Sequence, residues 1–270
     1  MTIDSGPRLD TDLIREVYRR GAEAYDDIWS PVILAPAGSM LAALAVEHAR
    51  VVLDVGAGTG ALTPALRRAA PSAVVLSLDA STEMLAVARS RHSATTIVGD
   101  AANLPLPADV VDAVVLAYVL FHLPDPRQAL REARRVLRRG GRLGTVTWAH
   151  EWPSVAHQRW DEWLAELGLA ARGSTSEHAG LNTTTDIEIL LGGCGFSTDR
   201  VWHEPVDVVF TRERFWRLRV MHSALAVRLA ELDPTRRDRV LSELHCRLRR
   251  LDEQAFHHRG DVICAVSTRG

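Results

Sequence analysis

The stretch "VVLDVGAGTG" at residues 51–60 decides the fold of this chain. Its apolar first half reads as a buried strand of a parallel sheet, and Gly56, Gly58 and Gly60 read as a tight turn into a helix. Such a turn ordinarily cradles a phosphate between backbone N–H groups and the helix N-terminus. Asp54, two residues before the first glycine, would repel that anion. The spacing also departs from the dinucleotide fingerprint G-x-G-x-x-G, because Ala61 stands where the third glycine belongs. The turn is therefore expected to serve a ligand with a cationic end and no phosphate beside Asp54.

Composition narrows the field. The 270 residues suffice for one good core with a helical elaboration, and the net charge of −2 offers no basic field for a polyanion, so nucleic acid is not expected as a partner. Cys194, Cys246 and Cys264 are scattered without a C-x-x-C pair, which predicts neither a metal site nor a disulfide framework and fits a reducing cytoplasm. The opening "MTIDSGPRLDTDL" has no apolar core of a secretion signal. The most apolar stretch, residues 32–46, is interrupted by Pro36 and Gly38 and is shorter than the ~20 residues of a membrane span. A soluble monomer or homodimer is expected. Every one of the 32 basic residues is arginine. Without lysine, a P-loop and Schiff-base chemistry are excluded, and the arginine bias fits a GC-rich bacterial genome.

From residue 50 to about 150, apolar runs alternate with helical patterns, the mark of βα units. Strands are expected at 50–55, 73–79, 95–100, 110–119 and 142–149. Helices are expected over 61–70, over "STEMLAVARSR" with Ser81 or Thr82 as N-cap, and over 126–139 with Gly140 and Gly141 closing it. Residues 151–184 read as irregular, 184–196 as a capped helix, 201–210 as extended, 211–259 as helical and 261–269 as a last strand. The fold class is α/β, a doubly wound, mostly parallel seven-stranded sheet with a helical cap. The expected boundaries are a helical cap segment at 1–48, a core at 49–210, a cap insertion at 211–259 and the final strand of the core at 260–270.

Two further acids extend the pattern. Asp79 ends the second strand, where open α/β sheets bind a ribose diol, and Asp100 ends the third, where a carboxylate can accept from an adenine amino group beside the Ala101 N–H. S-adenosylmethionine carries a sulfonium, an ammonium, a ribose and an adenine, and it is the expected cofactor. "VVLDVGAGTG", "LSLDASTEMLAVA", "GDAANLPLP" and "DAVVLAYVLFHLPDPRQALREARRVLRRGGRL" together resemble the class I S-adenosylmethionine-dependent methyltransferases, in the branch of ubiquinone and menaquinone biosynthesis and small natural products. The resemblance covers residues 50–148. It implies that Gly56, Ala57, Gly58 and Gly60 approach the methionine end, that Asp79 and Ala80 lie at the ribose, that Met84 packs near adenine, that Asp100 and Ala101 read its edge, and that Ala117 lies beside the cofactor. "YRRGAEAYDDIWSP" resembles the family's N-terminal segment, in which a tyrosine covers the cofactor, so Tyr18, Tyr25 and Trp29 are candidates.

A sulfonium is already activated, so such an enzyme mainly holds a nucleophile in line with the methyl, and a base helps when the acceptor is a hydroxyl. His122, after the fourth strand, and His150, after the fifth, are the candidate catalytic residues. Trp29, His122, Trp216 and His222 are the candidate substrate contacts. A small, largely apolar bacterial metabolite, quinone-like or secondary, is the expected acceptor. The alternatives are a cofactor-binding protein of the same fold that promotes another reaction, such as a cyclisation, and a ligand-binding regulatory module.

Overall fold

The computed structural model describes residues 11–170, 180–221 and 223–270, with backbone alone for 11–20 and 224. The elements run α1 (Thr11–Leu44), β1 (Val51–Val55), α2 (Thr63–Ala69), β2 (Val74–Asp79), α3 (Thr82–His92), β3 (Thr95–Val98), β4 (Val111–Ala117), α4 (Pro126–Val136), β5 (Leu137–Trp152), α5 (Val155–Glu166), α6 (Thr184–Gly193), β6 (Phe196–Val209), α7 (Arg212–Met221), α8 (Ala224–Glu231), α9 (Pro234–Leu248) and β7 (His257–Arg269). They fall into two compact units.

The larger unit takes residues 29–151, 180–206 and 260–270 and holds a seven-stranded sheet in the order β3-β2-β1-β4-β5-β7-β6. β1 pairs parallel with β2 and β4, β2 with β3, and β4 with β5. The side chain of Arg269, at the end of β7, donates to the Leu137 carbonyl at the start of β5, while Gly260 lies against the His150 carbonyl near its end. β7 therefore runs antiparallel to β5. The chain order reverses between β1 and β4, and at such a switch point open sheets form a crevice outside the strand carboxyl ends. Val52, Leu53, Val55, Val111, Val114, Val115 and Leu116 are buried, as continuous apolar strands covered on both faces must be. At the opposite end, Asp112 accepts from the Arg50 and Val51 N–H groups at 2.8 and 2.9 Å and so fixes the start of β1.

Three local expectations are corrected. Gly140 and Gly141 do not close the preceding helix, which ends at Val136; they lie in a bulge where the β4–β5 register jumps from Val111↔Leu137 to Ala113↔Arg142. Gly140 has φ of +73° and a Cβ on Gly141 would stand 2.8 Å from the Arg138 carbonyl oxygen, so glycine serves the bulge. Residues 151–184 are not wholly irregular, because α5 occupies 155–166, capped by the Ser154 side chain. Pro36 and Gly38 do not interrupt α1, which passes through both and departs from helical geometry only at Gly21. Its Ile28, Val32, Ala37, Met40 and Leu44 are buried, and a Cβ on Gly144 of β5 would overlap the Met40 sulfur at 2.3 Å. This packing offsets the hydrogen bonds that Pro31 and Pro36 remove. Among the described residues, one helical stretch, Gly21–Leu44, is long and apolar enough to cross a membrane.

The smaller unit takes residues 11–28, 152–170 and 207–259, without 222. It has its own core: Trp160, Phe210, Phe215 and Phe256 are fully buried, with Phe215 edge-on to Trp160 and Phe256 at 5.8 and 5.4 Å. The division differs from the expected boundaries in placing residues 29–48 with the sheet and 152–170 with the helices. Burial explains the difference, since α1 packs on β5 while α5 supplies Trp160 to the aromatic core.

Candidate functional site

β1 delivers Asp54 to the sheet's carboxyl edge, and the glycine turn follows. Gly56, Gly58 and Gly60 have φ of +69°, +55° and +76°, a region costly for any residue with a Cβ. A Cβ on Gly56 would stand 2.3 Å from Val119 Cγ2, and one on Gly60 would stand 2.9 Å from Ala88 Cβ. The turn thus lies flat against the segment after β4 on one side and against α3 on the other. The Ala57 N–H donates to the Leu78 carbonyl at 2.9 Å, which ties the turn to the end of β2.

The three predicted acids occupy different environments. Asp54 is buried, with Oδ2 lacking a partner among the described residues, and burial together with the neighbouring Asp79 charge pushes its pKa up to about 7. Asp79 is partly buried; its Oδ2 accepts the Gly58 N–H and its Oδ1 the Ser81 N–H, both at 2.8 Å. Desolvation nevertheless holds the Asp79 pKa above the ordinary carboxylate value. Asp79 therefore braces the glycine turn against the start of α3, and a carboxylate with four lone-pair sites retains acceptor capacity after both bonds. Asp100 is exposed and its Oδ1 accepts the Ala102 N–H at 2.9 Å, closing a turn around the buried Ala101. Ser81 is the N-cap of α3, accepting the Met84 N–H at 3.2 Å, and Met84 is buried. Ala80 is exposed directly after β2.

Ala117 ends β4 opposite Val146 of β5. The next residue, Tyr118, adopts φ of +60°, unusual for a residue with a Cβ, while its N–H donates to the Val146 carbonyl at 2.7 Å. Its ring packs 5.5 Å from Trp148, which in turn meets Trp29 edge-on at 6.3 Å.

Beside this geometry stands a family match: residues 53–145 fit the methyltransferase-domain family model. Over those residues the chain is similar to a methyltransferase domain. It is 44% identical over 93 residues to a demethylmenaquinone methyltransferase from Thermotoga maritima, covering 34% of this chain and 41% of that protein. It is 34% identical over 156 residues to the ubiquinone/menaquinone biosynthesis C-methyltransferase UbiE of Caulobacter vibrioides, covering 52% of this chain and 62% of that one. The chain thus spans about two fifths to three fifths of the length of these curated relatives. A solved structure of Haemonchus contortus phosphoethanolamine N-methyltransferase 2, in complex with phosphomonomethylethanolamine and S-adenosylhomocysteine, shares the fold. There the identity is 18%, the TM-score 0.55, and coverage 97% of this chain and 60% of that one.

The structure places the remaining candidates unevenly. His122 lies in a short helical turn, Leu120–His122, just past β4, with its N–H on the Val119 carbonyl and its ring 4.2 Å from Phe121. His150 lies four residues beyond the level of Ala117, exposed on β5. Its N–H donates to Asp261 Oδ1 at 3.1 Å and its Nδ1 is 3.4 Å from the same oxygen. The other Asp261 oxygen is 2.6 Å from His203 Nδ1. Sequence reasoning missed Asp261 and His203, whose separations in the chain give no local signal. It also missed Tyr118, although that residue directly follows Ala117. Tyr25 and Trp216 belong to the smaller unit, where the Trp216 ring packs on Trp160 and His245. Tyr18 has only its backbone described, and His222 lies outside the described residues.

Proposed function

We propose that the chain is a methyltransferase that takes S-adenosylmethionine and methylates a small, largely apolar metabolite in the cytoplasm, and that its cofactor site is the crevice between β1 and β4. The observation that carries the cofactor assignment is the buried Asp54 carboxyl with an unpartnered oxygen beside three positive-φ glycines. A pyrophosphate placed there would meet a buried acid, whereas an ammonium or sulfonium would neutralise one. Bound S-adenosylmethionine supplies a methyl on a positively charged sulfur, an electrophile that needs no further activation.

The chain's own residues divide the remaining work. Gly56, Ala57, Gly58 and Gly60 leave backbone room at the methionine end, with Asp54 as its counter-charge. Asp79 offers lone pairs to ribose hydroxyls, Met84 and Ala80 flank that sugar and the base, Asp100 and Ala101 face the adenine edge, and Ala117 keeps the wall after β4 thin. The acceptor lies against Trp29 and His122. His122 or His150 removes a proton when the acceptor is a hydroxyl, with Asp261 orienting the His150 imidazole as a carboxylate orients a general base. The quinone methyltransferases among the relatives support a ring-containing acceptor.

Calorimetric titration tests the cofactor: S-adenosylmethionine or S-adenosylhomocysteine is expected to bind and NAD is not. Tighter binding of NAD overturns the assignment. Product analysis by mass spectrometry separates methyl transfer from a rearrangement on the same fold. Asp79→Ala removes a charge-assisted acceptor, an effect of roughly 1.5–3 kcal/mol, and releases the Gly58 and Ser81 N–H groups. Cofactor affinity is expected to fall by about one to two decades in a variant that still melts cooperatively. Unchanged affinity removes Asp79 from the site.

A further inference from the structure

In the smaller unit a cavity of about 290 Å³ opens between α7 and α9, lined by Arg212, Glu213, Trp216, His245, Leu248 and Arg249. It adjoins a second opening along α9, of about 520 Å³, which shares His245 and Arg249 and continues to Arg250. Trp216 is held edge-on against the buried Trp160 at 5.9 Å, so its plane is set by the core. The His245 ring stands 5.0 Å from Trp216 at an interplanar angle of 36°. Leu248 is fully buried and supplies an apolar floor.

Charge on the rim is one-sided, three arginines against Glu213. Arg212 is anchored through its Nη2 on the Leu251 carbonyl at 2.8 Å, yet its buried Nε–H has no acceptor among the described residues. The exposed Arg249 guanidinium makes no hydrogen bond or ion pair among the described residues. A guanidinium fork with no partner among the described residues matches a carboxylate.

We propose that this cleft is a binding site for a planar aromatic carboxylate, separate from the cofactor crevice. The ligand's ring lies against Trp216 and His245 over Leu248, and its carboxylate is held by the exposed Arg249 guanidinium. The aromatic surface sets ring preference and the arginines set charge preference.

The test titrates the full chain with indole-3-acetate and with its neutral isostere indole-3-ethanol. Wild type is expected to bind the acid at least about tenfold more tightly, the share of one charge-assisted contact. Arg249→Glu, at the exposed position just after α9, is expected to abolish that preference, whereas Arg236→Glu at the other end of α9, off the cleft, keeps it. S-adenosylmethionine affinity stays unchanged in both, and melting curves confirm that both are folded. Equal affinity for acid and alcohol, a preference that survives Arg249→Glu, or no binding of the acid at millimolar concentration overturns the proposal.

Discussion

Asp54→Asn is expected to stabilise the ligand-free protein at pH 8 while weakening S-adenosylmethionine binding. The Asp54 carboxyl moves from an ordinary 3.8 to about 7 on folding, because burial and the Asp79 charge both oppose its ionisation. Between those two values the native state holds a proton that the unfolded chain has released. Stability therefore falls as pH rises through that window and stays low above it. The displacement corresponds to on the order of 4 kcal/mol, and an amide, which cannot ionise, escapes it. For a chain of this size the Tm of Asp54→Asn at pH 8 is then expected to exceed that of wild type by on the order of 10 °C. Near pH 4 the two should melt together. Cofactor affinity moves the other way, down by one or more decades, since the cation loses its counter-charge; in wild type it rises with pH from 6 to 8 as the ligand displaces the proton. Denaturation and titration at the two pH values measure both effects. A Tm difference independent of pH would show that Asp54 is not protonated in the free protein.

Gly56→Ala is expected to be the most damaging single-methyl change in the turn. The new Cβ meets Val119 Cγ2 at 2.3 Å while the backbone stays at φ of +69°. Left-handed backbone costs an alanine roughly 1–2 kcal/mol, and overpacking typically adds about 1–3 kcal/mol. Gly58→Ala carries the first cost alone, because its Cβ would find only Met84 Cε at 3.6 Å, an ordinary contact. Urea denaturation should therefore rank Gly56→Ala well below Gly58→Ala. Adding Val119→Ala to Gly56→Ala removes the overlapping methyl and should recover the packing part but not the backbone part. If the double variant is no more stable than the sum of the singles predicts, the Val119 contact is not what demands glycine there.

Much of the sheet was legible because its signals are local. Each of β1 to β4 is a short apolar run with an acid, a glycine or a small residue at its carboxyl end, and parallel strands covered on both faces need that continuity. The α3 cap was legible for the same reason, since Ser81 and the Met84 N–H are three residues apart. What failed locally was competition from packing. Pro36 and Gly38 read as breaks, yet Met40 and Leu44 seat α1 on Gly144 tightly enough to carry the helix through. Gly140 and Gly141 read as a helix end, yet they serve a strand bulge whose need arises from the register with β4.

The sequence by itself determined the βα order, the glycine turn and the acids at three strand ends, because spacing along one strand and one turn is enough to place them on one edge of a parallel sheet. Only the tertiary structure decided what each acid does there. Asp54 and Asp79 are both strand-end carboxylates, but Asp79 meets the N–H groups of Gly58 and Ser81, while Asp54 is enclosed with an oxygen unpartnered and its pKa pushed up to about 7. Desolvation and hydrogen-bond supply depend on what packs around a side chain in three dimensions, and those neighbours come from other strands and helices. The same holds for Asp261 with His150 and His203, and for Trp216, which the aromatic core of the smaller unit sets beside Arg249.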